Sequence, residues 1–430
     1  MEVTPVIAVF DVGKTNKKLF LFDESYNIVF ERSARFNEIM DEDGFACENL
    51  DALKKAVFDA LNEVSRLDQF DVKAVNFSAY GASFVYLDEG GNPVAPLYNY
   101  LKPYPEDIKK KFYDTYGDEA EIAFKTASPA LESLNSGLQL YRIKHQKPEL
   151  FKQIKYALHL PQYLSYLITG KAFSDMTSIG CHTALWDFEK HEYHNWVKQE
   201  GLDKILAPIA PANQRIPSYF NGRWYQAGIG LHDSSAALIP YLASFNEPFV
   251  LLSTGTWSIS LNPFDQSSLT PEELKNDCLN YIQYKGKPVK ASRLFSGYEY
   301  DQGIKDIAQK YGTDVIKYRN IPYDPEMPGE DTAAYYQLMH HLIDKQKIST
   351  GYVLKNASVK RIFVDGGFSK NSVFMHLLAA AFPKVEVYAA SMAQATAMGT
   401  ALAIHHSWNS KPIPNDLINL KFYSGTNHAV

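Results

Sequence analysis

Two similar segments, far apart in the chain, constrain the fold most strongly. Residues 6–23 read VIAVFDVGKTNKKLFLFD and residues 249–262 read FVLLSTGTWSISLN. Each begins with an apolar run, reaches a polar residue and a glycine turn at Gly13 or Gly255, and continues in a second run of β-favouring residues. Both segments are therefore predicted to be β-hairpins. Their repetition after about 240 residues indicates two related domains.

The sequence Gly13-Lys14-Thr15 resembles the end of a nucleotide-binding P-loop, but its surroundings differ. A P-loop has a glycine five positions earlier, where this chain has alanine, and a helix afterwards, where residues 16–23 favour a strand. A tight turn at Gly13 can instead present backbone N–H groups and the Lys14 and Thr15 side chains to a phosphate. Asp11 lies beside this turn, and a carboxylate repels a phosphate unless a divalent cation separates them. We therefore predict Mg²⁺ at Asp11; the alternative is an ordinary hairpin in which Asp11 only forms the turn.

Length and composition indicate a two-domain globular protein of the cytoplasm. A chain of 430 residues exceeds one hydrophobic core, and the predicted domains are 1–226 and 227–430. A net charge of −6 gives no electrostatic case for nucleic acid, and no run approaches the roughly 20 apolar residues of a membrane span. Cys47, Cys181 and Cys278 lack CxxC spacing, which argues against a disulfide framework or a zinc site.

Further elements follow from periodicity and from turn signals. Residues 48–64 carry apolar side chains at helical spacing, and a small-residue helix is predicted to begin after Asp233 in GLHDSSAA. The segment RIFVDGGFSKN is predicted to be a strand ending at Gly366 and Gly367, followed by a helix that Ser369 caps. Residues 391–406 are predicted to form a helix with a small-residue face suited to close packing.

Five motifs in fixed order, DVGKTNKK, GIGLHDSSAA, STGTWS, DGGFSKN and QATAMGTALA, resemble those of the FGGY carbohydrate kinases. The resemblance implies an α/β fold with two ribonuclease-H-like domains of the actin-like ATPase type. Each would contain a mixed five-stranded sheet with flanking helices, and the two would face each other across a cleft. It also implies an N-terminal sugar-binding domain, which carries the first phosphate hairpin, and a C-terminal ATP-binding domain.

The resemblance and the hairpin geometry together give a predicted site. Asp233 matches the family's general base towards the sugar hydroxyl, and Asp11 matches the aspartate that reaches Mg²⁺; each has the alternative of a purely local role, Asp233 as a helix cap. The predicted ATP-binding residues are Asp11, Gly13, Lys14, Thr15, Lys18, Gly255, Thr256, Gly366, Gly367, Ser369 and Asn371. The predicted sugar-binding residues are Ser78, Tyr80, Gly81, Ser83, Tyr98, Tyr100, Lys102, His232 and Asp233.

The chain departs from the family pattern on the sugar side. SAYGAS replaces the family's usual sugar motif, and Tyr98, Tyr100 and Lys102 stand in a stretch that lacks its usual carboxylate. The tyrosines have ordinary half-buried packing as an alternative role. These departures, with DVGKTN in the first motif, favour resemblance to the L-fuculose and L-rhamnulose kinase branch.

The predicted function is ATP-dependent transfer of a phosphoryl group to a primary hydroxyl of a ketose or deoxyketose, with xylulose, ribulose and glycerol as alternative substrates. ATP and Mg²⁺ are the expected cofactors, and a homodimer is possible. Two rivals of other classes stay open. One is a non-catalytic sugar or nucleotide sensor on the same fold, and the other is an actin-like ATPase with a protein partner.

Overall fold

The computed structural model describes residues 3–14, 16–326, 329–356, 358–392 and 394–424. They fall into two compact units, one within 1–243, 280–287 and 394–415, the other within 244–279, 288–393 and 416–430. The sequence prediction had a single boundary at 226/227, whereas the first unit runs on to Ala243. The physical reason is strand pairing, because Leu231 and His232 pair with a strand of the first unit and Asp233 opens the next helix. Asp233 therefore belongs to the first unit.

The first unit contains a seven-stranded sheet. Its strands are β1 (Thr4–Val12), β2 (Lys17–Asp23), β3 (Ile28–Ala34), β4 (Phe70–Ala79), β5 (Arg215–Phe220), β6 (Arg223–Gly228) and β7 (Leu231–His232). The strand order is β5-β6-β4-β1-β2-β3, and β7 also pairs with β4. β1 and β2 pair antiparallel, as predicted for the first hairpin, whereas β1 and β4 pair parallel.

The second unit contains a sheet built around the second hairpin. The strands of this sheet are β8 (Phe249–Thr254), β9 (Ser258–Asn262), β10 (Cys278–Ile282, of which residues 280–282 are assigned to the first unit), β11 (Pro288–Leu294), β12 (Arg361–Gly366), β13 (Glu386–Ser391) and β14 (Asn419–Tyr423). β8 pairs antiparallel with β9 and parallel with β12, which is the arrangement of β1 with β2 and β4. The predicted repeat of the hairpin in two related domains is confirmed.

The predicted count of five strands in each sheet is wrong, because both sheets have seven strands. Five strands in the first sheet, β3-β2-β1-β4-β6, form a mixed core that resembles the prediction. The additional strands arise at the edges. β5 folds back on β6 through a turn at Asn221 and Gly222, which both have positive φ, and β7 continues along β4 after a second turn at Gly230. In the second sheet, β10 and β14 occupy the two edges.

Helices cover the sheets. The α-helices of the first unit are Leu50–Val64, Glu106–Tyr116, Glu119–Thr126, Ser136–Gln146, Pro148–Phe151, Leu160–Thr169, Met176–Ile179, Asn195–Gln199, Asp233–Ser244 and Ala395–Ala403. Its shorter strands, outside the main sheet, are Ile39–Met40, Ala46–Cys47, Phe84–Leu87, Tyr156–His159, Ser174–Asp175, Trp186–Asp187, Glu192–Tyr193 and Ile209–Ala210. The α-helices of the second unit are Pro271–Lys275, Ser296–Tyr311, Val315–Arg319, Glu330–Leu354 and Ser372–Ala381. Short 3₁₀ turns occupy Glu132–Leu134, Leu202–Lys204, Phe368–Lys370 and His405–Ser407.

Helix Leu50–Val64 shows how the core of the first unit forms. Asn49 caps it by accepting a hydrogen bond from the Ala52 amide, and the apolar positions predicted from periodicity are buried. Leu53 and Val57 pack in one cluster with Val6 and Ala8 of β1. This packing fixes β1, and hence the position of Asp11 near its end. None of the helices in the described ranges has the length and apolar character that a membrane span requires.

Helix Ala395–Ala403 uses its predicted small-residue face. A Cβ atom at Gly399 would collide with the carbonyl oxygen of Ala236, in helix Asp233–Ser244. The two helices therefore approach each other closely within the first unit, and glycine is required at this contact. This packing secures the helix that carries Asp233.

Candidate active site

Three strands of the first unit bring polar side chains to one edge of its sheet. Asp11 on β1 is opposite Ser78 on β4, and the Ser78 hydroxyl donates a hydrogen bond of 3.0 Å to Asp11 Oδ1. β7 pairs parallel with the end of β4, so that His232 lies opposite Ala79 and Asp233 follows directly. The carboxyl ends of parallel strands are where α/β sheets place ligand-binding residues. The pairing thus brings Asp11, Ser78 and Asp233 to the same edge.

Burial raises the pKa of both carboxylates, and the charge of Asp233 raises that of Asp11 further. Burial, and then the negative charge of Asp233, raise the pKa of Asp11 to about 6, although the Ser78 hydrogen bond and Lys18 oppose the shift. Burial also raises the pKa of Asp233 to about 6, against hydrogen bonds from Ser234. Carboxylates whose charge is destabilised in this way offer hard oxygen ligands, which suit Mg²⁺. The donor set at Asp11 therefore fits the predicted cation.

His232 is fixed from several sides next to Asp233. Its Nε2 atom lies 3.1 Å from Cys181 Sγ and 3.3 Å from Asp233 Oδ1, and its backbone amide donates to Thr177 Oγ1 at 2.9 Å. A Cβ atom at Gly81 would be only 2.6 Å from His232 Cδ2. Burial lowers the pKa of His232 to about 3, so the imidazole is neutral at physiological pH. It can influence Asp233 through a hydrogen bond but not through a positive charge.

Two of the predicted sugar-site tyrosines lie near these groups. The rings of Tyr80 and Tyr100 meet edge to face with centroids 5.8 Å apart, and Tyr80 directs its hydroxyl to Glu48 at 3.5 Å. Burial, followed by the charge of Asp233, raises the pKa of Tyr100. Tyr100 is therefore close enough to Asp233 for the two groups to interact, and Gly81, which follows Tyr80, contacts His232 as described.

Three other predicted sugar-binding residues already have partners in the protein. The Ser83 hydroxyl donates to the backbone oxygen of Tyr98 at 2.7 Å, and the Tyr98 hydroxyl donates to Glu42. Lys102 is buried and forms ion pairs with buried Asp41 and, at 2.7 Å, with Asp43. These bonds hold the segment around residues 98–102 in place. A role in sugar binding for Ser83, Tyr98 and Lys102 stays a prediction.

The turn of the first hairpin is closed by its backbone and leaves two lysines near the surface. The Gly13 amide donates to the Asn16 oxygen at 2.9 Å. Lys14 pairs with Glu38 at 2.6 Å, and Lys18 pairs with Glu31 at 2.8 Å. Ion pairs of this partly exposed kind contribute about 0–1 kcal/mol, so a phosphate can compete for either lysine. Thr15, the remaining predicted ligand of this turn, lies outside the described residues.

The predicted nucleotide residues of the second unit also come together. Thr254 at the end of β8 is opposite Gly366 at the end of β12, and the Gly367 amide donates to the Thr254 carbonyl at 2.9 Å. Gly366 has a φ of 89°, and a Cβ atom there would collide with the same carbonyl, so the turn requires glycine. Gly255 and Thr256 follow Thr254 in an exposed turn. The exposed backbone of this turn thus lies next to Gly366 and Gly367. A phosphate or a flat ligand needs such accessible backbone for close approach.

Ser369 and Asn371 have structural bonds next to this turn. The Ser369 hydroxyl donates to the Gly366 oxygen at 2.8 Å, from within the 3₁₀ turn Phe368–Lys370. The prediction that Ser369 caps the following helix is wrong, because the 3₁₀ turn delays the helix and Asn371 is its N-cap, accepting from the Phe374 amide at 3.0 Å. Nucleotide contacts by Ser369 and Asn371 stay predictions.

Sequence reasoning missed several residues around His232. Cys181, His182 and Tyr281 line its ring, with centroid distances of 6.1 Å to His182 and 6.0 Å to Tyr281. Glu48 was also missed; it forms a buried ion pair with Lys17 at 2.9 Å. The adjacent Cys181-His182 pair is a weak local signal. The contribution of Tyr281 arises from folding and has no local signal.

Comparisons with known protein families agree with this architecture. Residues 6–229 match the family model described as the FGGY family of carbohydrate kinases, N-terminal domain. Two C-terminal FGGY models match residues 246–318 and 332–408. The three matches together extend over both units.

Individual relatives are distant. A rhamnulokinase from Halalkalibacterium halodurans is 23% identical over 261 residues, which is 58% of this chain and 54% of that protein. The chain spans about half the length of the curated relatives it matches. The crystal structure of a carbohydrate kinase from Novosphingobium aromaticivorans superposes with a TM-score of 0.80 at 22% identity, covering 98% of this chain and 94% of that one. A ligand-bound xylulose kinase from Lactobacillus acidophilus gives a TM-score of 0.77 at 17% identity, covering 98% and 94%. At these identities the structures show the two-domain, actin-like ATPase fold.

Proposed function

Because the chain belongs to the FGGY family of carbohydrate kinases, we propose that it transfers the γ-phosphoryl group of ATP to a primary hydroxyl of a ketose or deoxyketose resembling L-rhamnulose or L-fuculose. The observation that carries the proposal is that Asp11 and Asp233 lie at the same edge of one sheet. Each of these carboxyl groups has its pKa raised to about 6. A sensor that only binds ligands has no need of two such carboxylates.

Asp233 is the general base in this proposal. A pKa near 6 leaves it ionised at neutral pH yet basic enough to accept a proton from the attacking hydroxyl. Its helix, Asp233–Ser244, fixes its backbone, and His232 Nε2 at 3.3 Å restricts where its carboxylate points. A base positioned in this way contributes about 10²–10⁴-fold to the rate.

The residues of the first unit around Asp233 are the proposed sugar site. Tyr100 interacts electrostatically with Asp233, and Tyr80 packs against Tyr100. Aromatic faces suit the apolar faces of a sugar, and Ser78 and His232 add polar groups. The names of the curated relatives support a 6-deoxyketose as the substrate class. Xylulose, ribulose and glycerol are the competing acceptors.

The proposed nucleotide site uses backbone more than side chains. In the first unit, Gly13, Lys14 and Lys18 are assigned to ATP. In the second unit, Gly255, Thr256, Gly366 and Gly367 are assigned to it. Asp11 would hold Mg²⁺, which when bound would supply positive charge to neutralise phosphate oxygens. Phosphoryl transfer requires mainly positioning and charge stabilisation, which these groups can provide.

A coupled ADP-release assay tests the proposal. Purified protein is given Mg-ATP and, in turn, L-rhamnulose, L-fuculose, L- and D-xylulose, L- and D-ribulose and glycerol. Saturable, sugar-dependent release is expected with one ketose, strongly reduced in Asp233→Asn and unchanged in Asp306→Asn, a control at an exposed helical aspartate of the second unit. ATP and sugar binding without release would favour a sensor. Release that ignores every sugar and survives in Asp233→Asn would favour an ATPase and would contradict the assignment of the base.

A further inference from the structure

Hydrogen bonds in series connect the buried Asp175 to the backbone that carries the proposed base. The Asp175 carboxylate accepts a hydrogen bond from the Thr177 hydroxyl and another, at 2.9 Å, from the Thr177 amide. The Thr177 hydroxyl oxygen in turn accepts from the His232 amide at 2.9 Å. Asp233 follows His232 directly and opens its helix. Asp175 is thus linked to the residue before the base through a single side chain.

The chemistry of the groups fixes the direction of these bonds. A threonine hydroxyl has one proton to donate and two lone pairs that accept. Because an amide N–H only donates, Thr177 accepts from His232, and its own proton is left for Asp175. A bond to an ionised carboxylate is stronger than a bond between neutral groups. Asp175 therefore holds the hydroxyl in the orientation that His232 needs.

Burial makes these bonds costly to lose. None of the side chains of Asp175, Thr177 and His232 exceeds 4% exposure. A buried N–H group without an acceptor is unfavourable, and so is a buried carboxylate without donors. Since this region is closed to solvent, water cannot replace a lost partner unless the backbone moves. Removal of the Thr177 hydroxyl is therefore expected to displace the backbone of His232.

The strand that leads to the base is short, so a side-chain bond matters for its position. Strand β7 consists of two residues, of which His232 is the second. Its beginning is fixed by a turn at Gly230, which has a φ of 85° and where a Cβ atom would lie 2.4 Å from the Pro161 oxygen. The bond from the His232 amide secures the other end of β7, which leads to Asp233.

We propose that Asp175 and Thr177 are positioning residues for the base. Together they hold the backbone of His232, and hence Asp233, where its carboxylate can accept the proton of the attacking hydroxyl. This inference rests on the proposed function, because it takes Asp233 as the base. Neither residue is assigned a contact with ATP or sugar. Asp175 is also the N-cap of the short helix Met176–Ile179, and the alternative is that it serves this helix alone.

Variants at Thr177 test the role of the hydroxyl. Thr177→Val keeps the shape of the side chain and removes the acceptor, whereas Thr177→Ser keeps a hydroxyl. With the active ketose and saturating Mg-ATP, kcat is expected to fall about 10–100-fold in Thr177→Val, with KM for ATP unchanged, and to recover in Thr177→Ser to within about threefold of the wild type. Burial raises the pKa of Asp175 to about 7 against the bonds from Thr177. The rates are therefore compared at a pH of about 8.5, where such a carboxyl group is ionised.

A matched variant separates this effect from the loss of any buried hydroxyl. Thr126 is also buried, and its hydroxyl donates to the Ile122 oxygen within its own helix. Thr126→Val should retain the wild-type kcat. Circular dichroism melts identify any variant that does not fold. A folded Thr177→Val enzyme with the wild-type kcat would overturn the proposal.

Asp175→Asn tests the part of Asp175 beyond helix capping. Asparagine is as good an N-cap as aspartate, so the variant keeps the cap. It loses the charged acceptor, and its NH₂ group can donate to the Thr177 hydroxyl. We expect kcat to fall by a smaller factor than in Thr177→Val, and Asp118→Asn, at the N-cap of helix Glu119–Thr126, to keep the wild-type kcat. Wild-type activity in Asp175→Asn would show that Asp175 only caps its helix and would overturn its assignment.

A double-mutant cycle separates positioning of the base from a general defect. If Thr177 acts through Asp233, then adding Thr177→Val to Asp233→Asn should lower the residual rate of sugar phosphorylation by less than about twofold. A general defect would lower the rate by the same factor in both backgrounds. That outcome would overturn the proposal.

Hydrogen exchange tests the bond without turnover. Exchange of the His232 amide is followed by mass spectrometry on peptides that span residues 229–234. It is expected to be slow in the wild type and in Thr177→Ser, and at least about tenfold faster in Thr177→Val. Equally slow exchange in Thr177→Val would overturn the proposal. If the wild type phosphorylates no sugar, the proposed function and the positioning role both fail, whereas exchange still decides whether Thr177 holds the His232 backbone.

Discussion

Replacing Gly81 by alanine tests whether His232 positions the base. The new Cβ atom would lie 2.6 Å from His232 Cδ2, whereas ordinary contacts of this kind begin at 3.4 Å, so the ring must move by about 0.8 Å. Cys181 Sγ lies 3.1 Å from the ring nitrogen Nε2, and Thr177 holds the backbone amide of His232. Any displacement of the ring therefore changes its 3.3 Å contact with Asp233. A misplacement of about 1 Å near reacting groups can cost about 10²-fold in rate.

We therefore expect kcat/KM for the ketose in Gly81→Ala to fall about 10–100-fold, equivalent to about 1.4–2.7 kcal/mol in the activation free energy. ATP affinity, measured by calorimetry without sugar, should not change. Gly351→Ala is the matched control, because within the described ranges nothing beyond its own turn of helix lies within 4 Å of a Cβ at that position. It should retain wild-type activity.

A double-mutant cycle gives the decisive comparison for Gly81. In a His232→Ala background the ring that the new methyl group displaces is absent, so adding Gly81→Ala should cost little further activity. The two effects are thus expected to be strongly non-additive. Full activity of Gly81→Ala, or an equal loss from it in both backgrounds, would refute the reasoning that His232 transmits the effect.

Four further predictions concern Asp233 and Gly366. Asp233→Asn should lower kcat by about 10²–10⁴-fold while calorimetry shows unchanged ATP binding, and a kcat loss below tenfold would contradict the role of the base. In the wild type, kcat/KM should fall below a pH of about 6, because the pKa of Asp233 is raised from 3.8 to about 6; a flat profile down to a pH of about 5 would be inconsistent with this. Between a pH of about 4 and about 6, Asp233 keeps its proton in the folded state but has released it in the unfolded chain, so the folded state loses stability as the pH rises through this range. Asp233→Asn should therefore have a higher melting temperature than the wild type at a pH of about 8 but not at a pH of about 4. Gly366→Ala, which forces a side chain into a φ of 89° against Thr254, should lower the unfolding free energy by about 1–3 kcal/mol in urea titrations and weaken ATP binding, and a neutral effect would show that the turn tolerates a Cβ.

The hairpins and the first helix could be predicted from the sequence, because contacts between residues close in the chain determine them. The alternating residues of the two hairpins and the apolar periodicity of helix Leu50–Val64 describe which side chains become buried, and these elements formed as expected. The glycine pair of DGGFSKN was also informative, since Gly366 adopts a conformation that other residues avoid. The edge strands β5 and β7 were not predicted, because they depend on turns whose geometry the alternation of residues does not specify.

Contacts between distant parts of the chain limited the prediction of the site. Lys102 was predicted to face the sugar, but its charge is balanced by Asp41, 61 positions away. Cys181 meets His232 across 51 positions, and nothing in the spacing of either residue signals the other. Ser369 illustrates a local failure, because a 3₁₀ turn moved the helix N-cap two residues onward to Asn371.

Transfer of a labelled γ-phosphoryl group tests the central claim most directly. Wild type and Asp233→Asn are incubated with γ-labelled Mg-ATP and the ketose that supports ADP release, and the products are separated and identified by mass spectrometry. The wild type should place the label on a primary hydroxyl of the sugar, and Asp233→Asn should do so about 10²–10⁴ times more slowly. Label recovered only as inorganic phosphate, or an unaffected rate of sugar labelling in Asp233→Asn, would contradict the account of this site as a sugar kinase with Asp233 as its base.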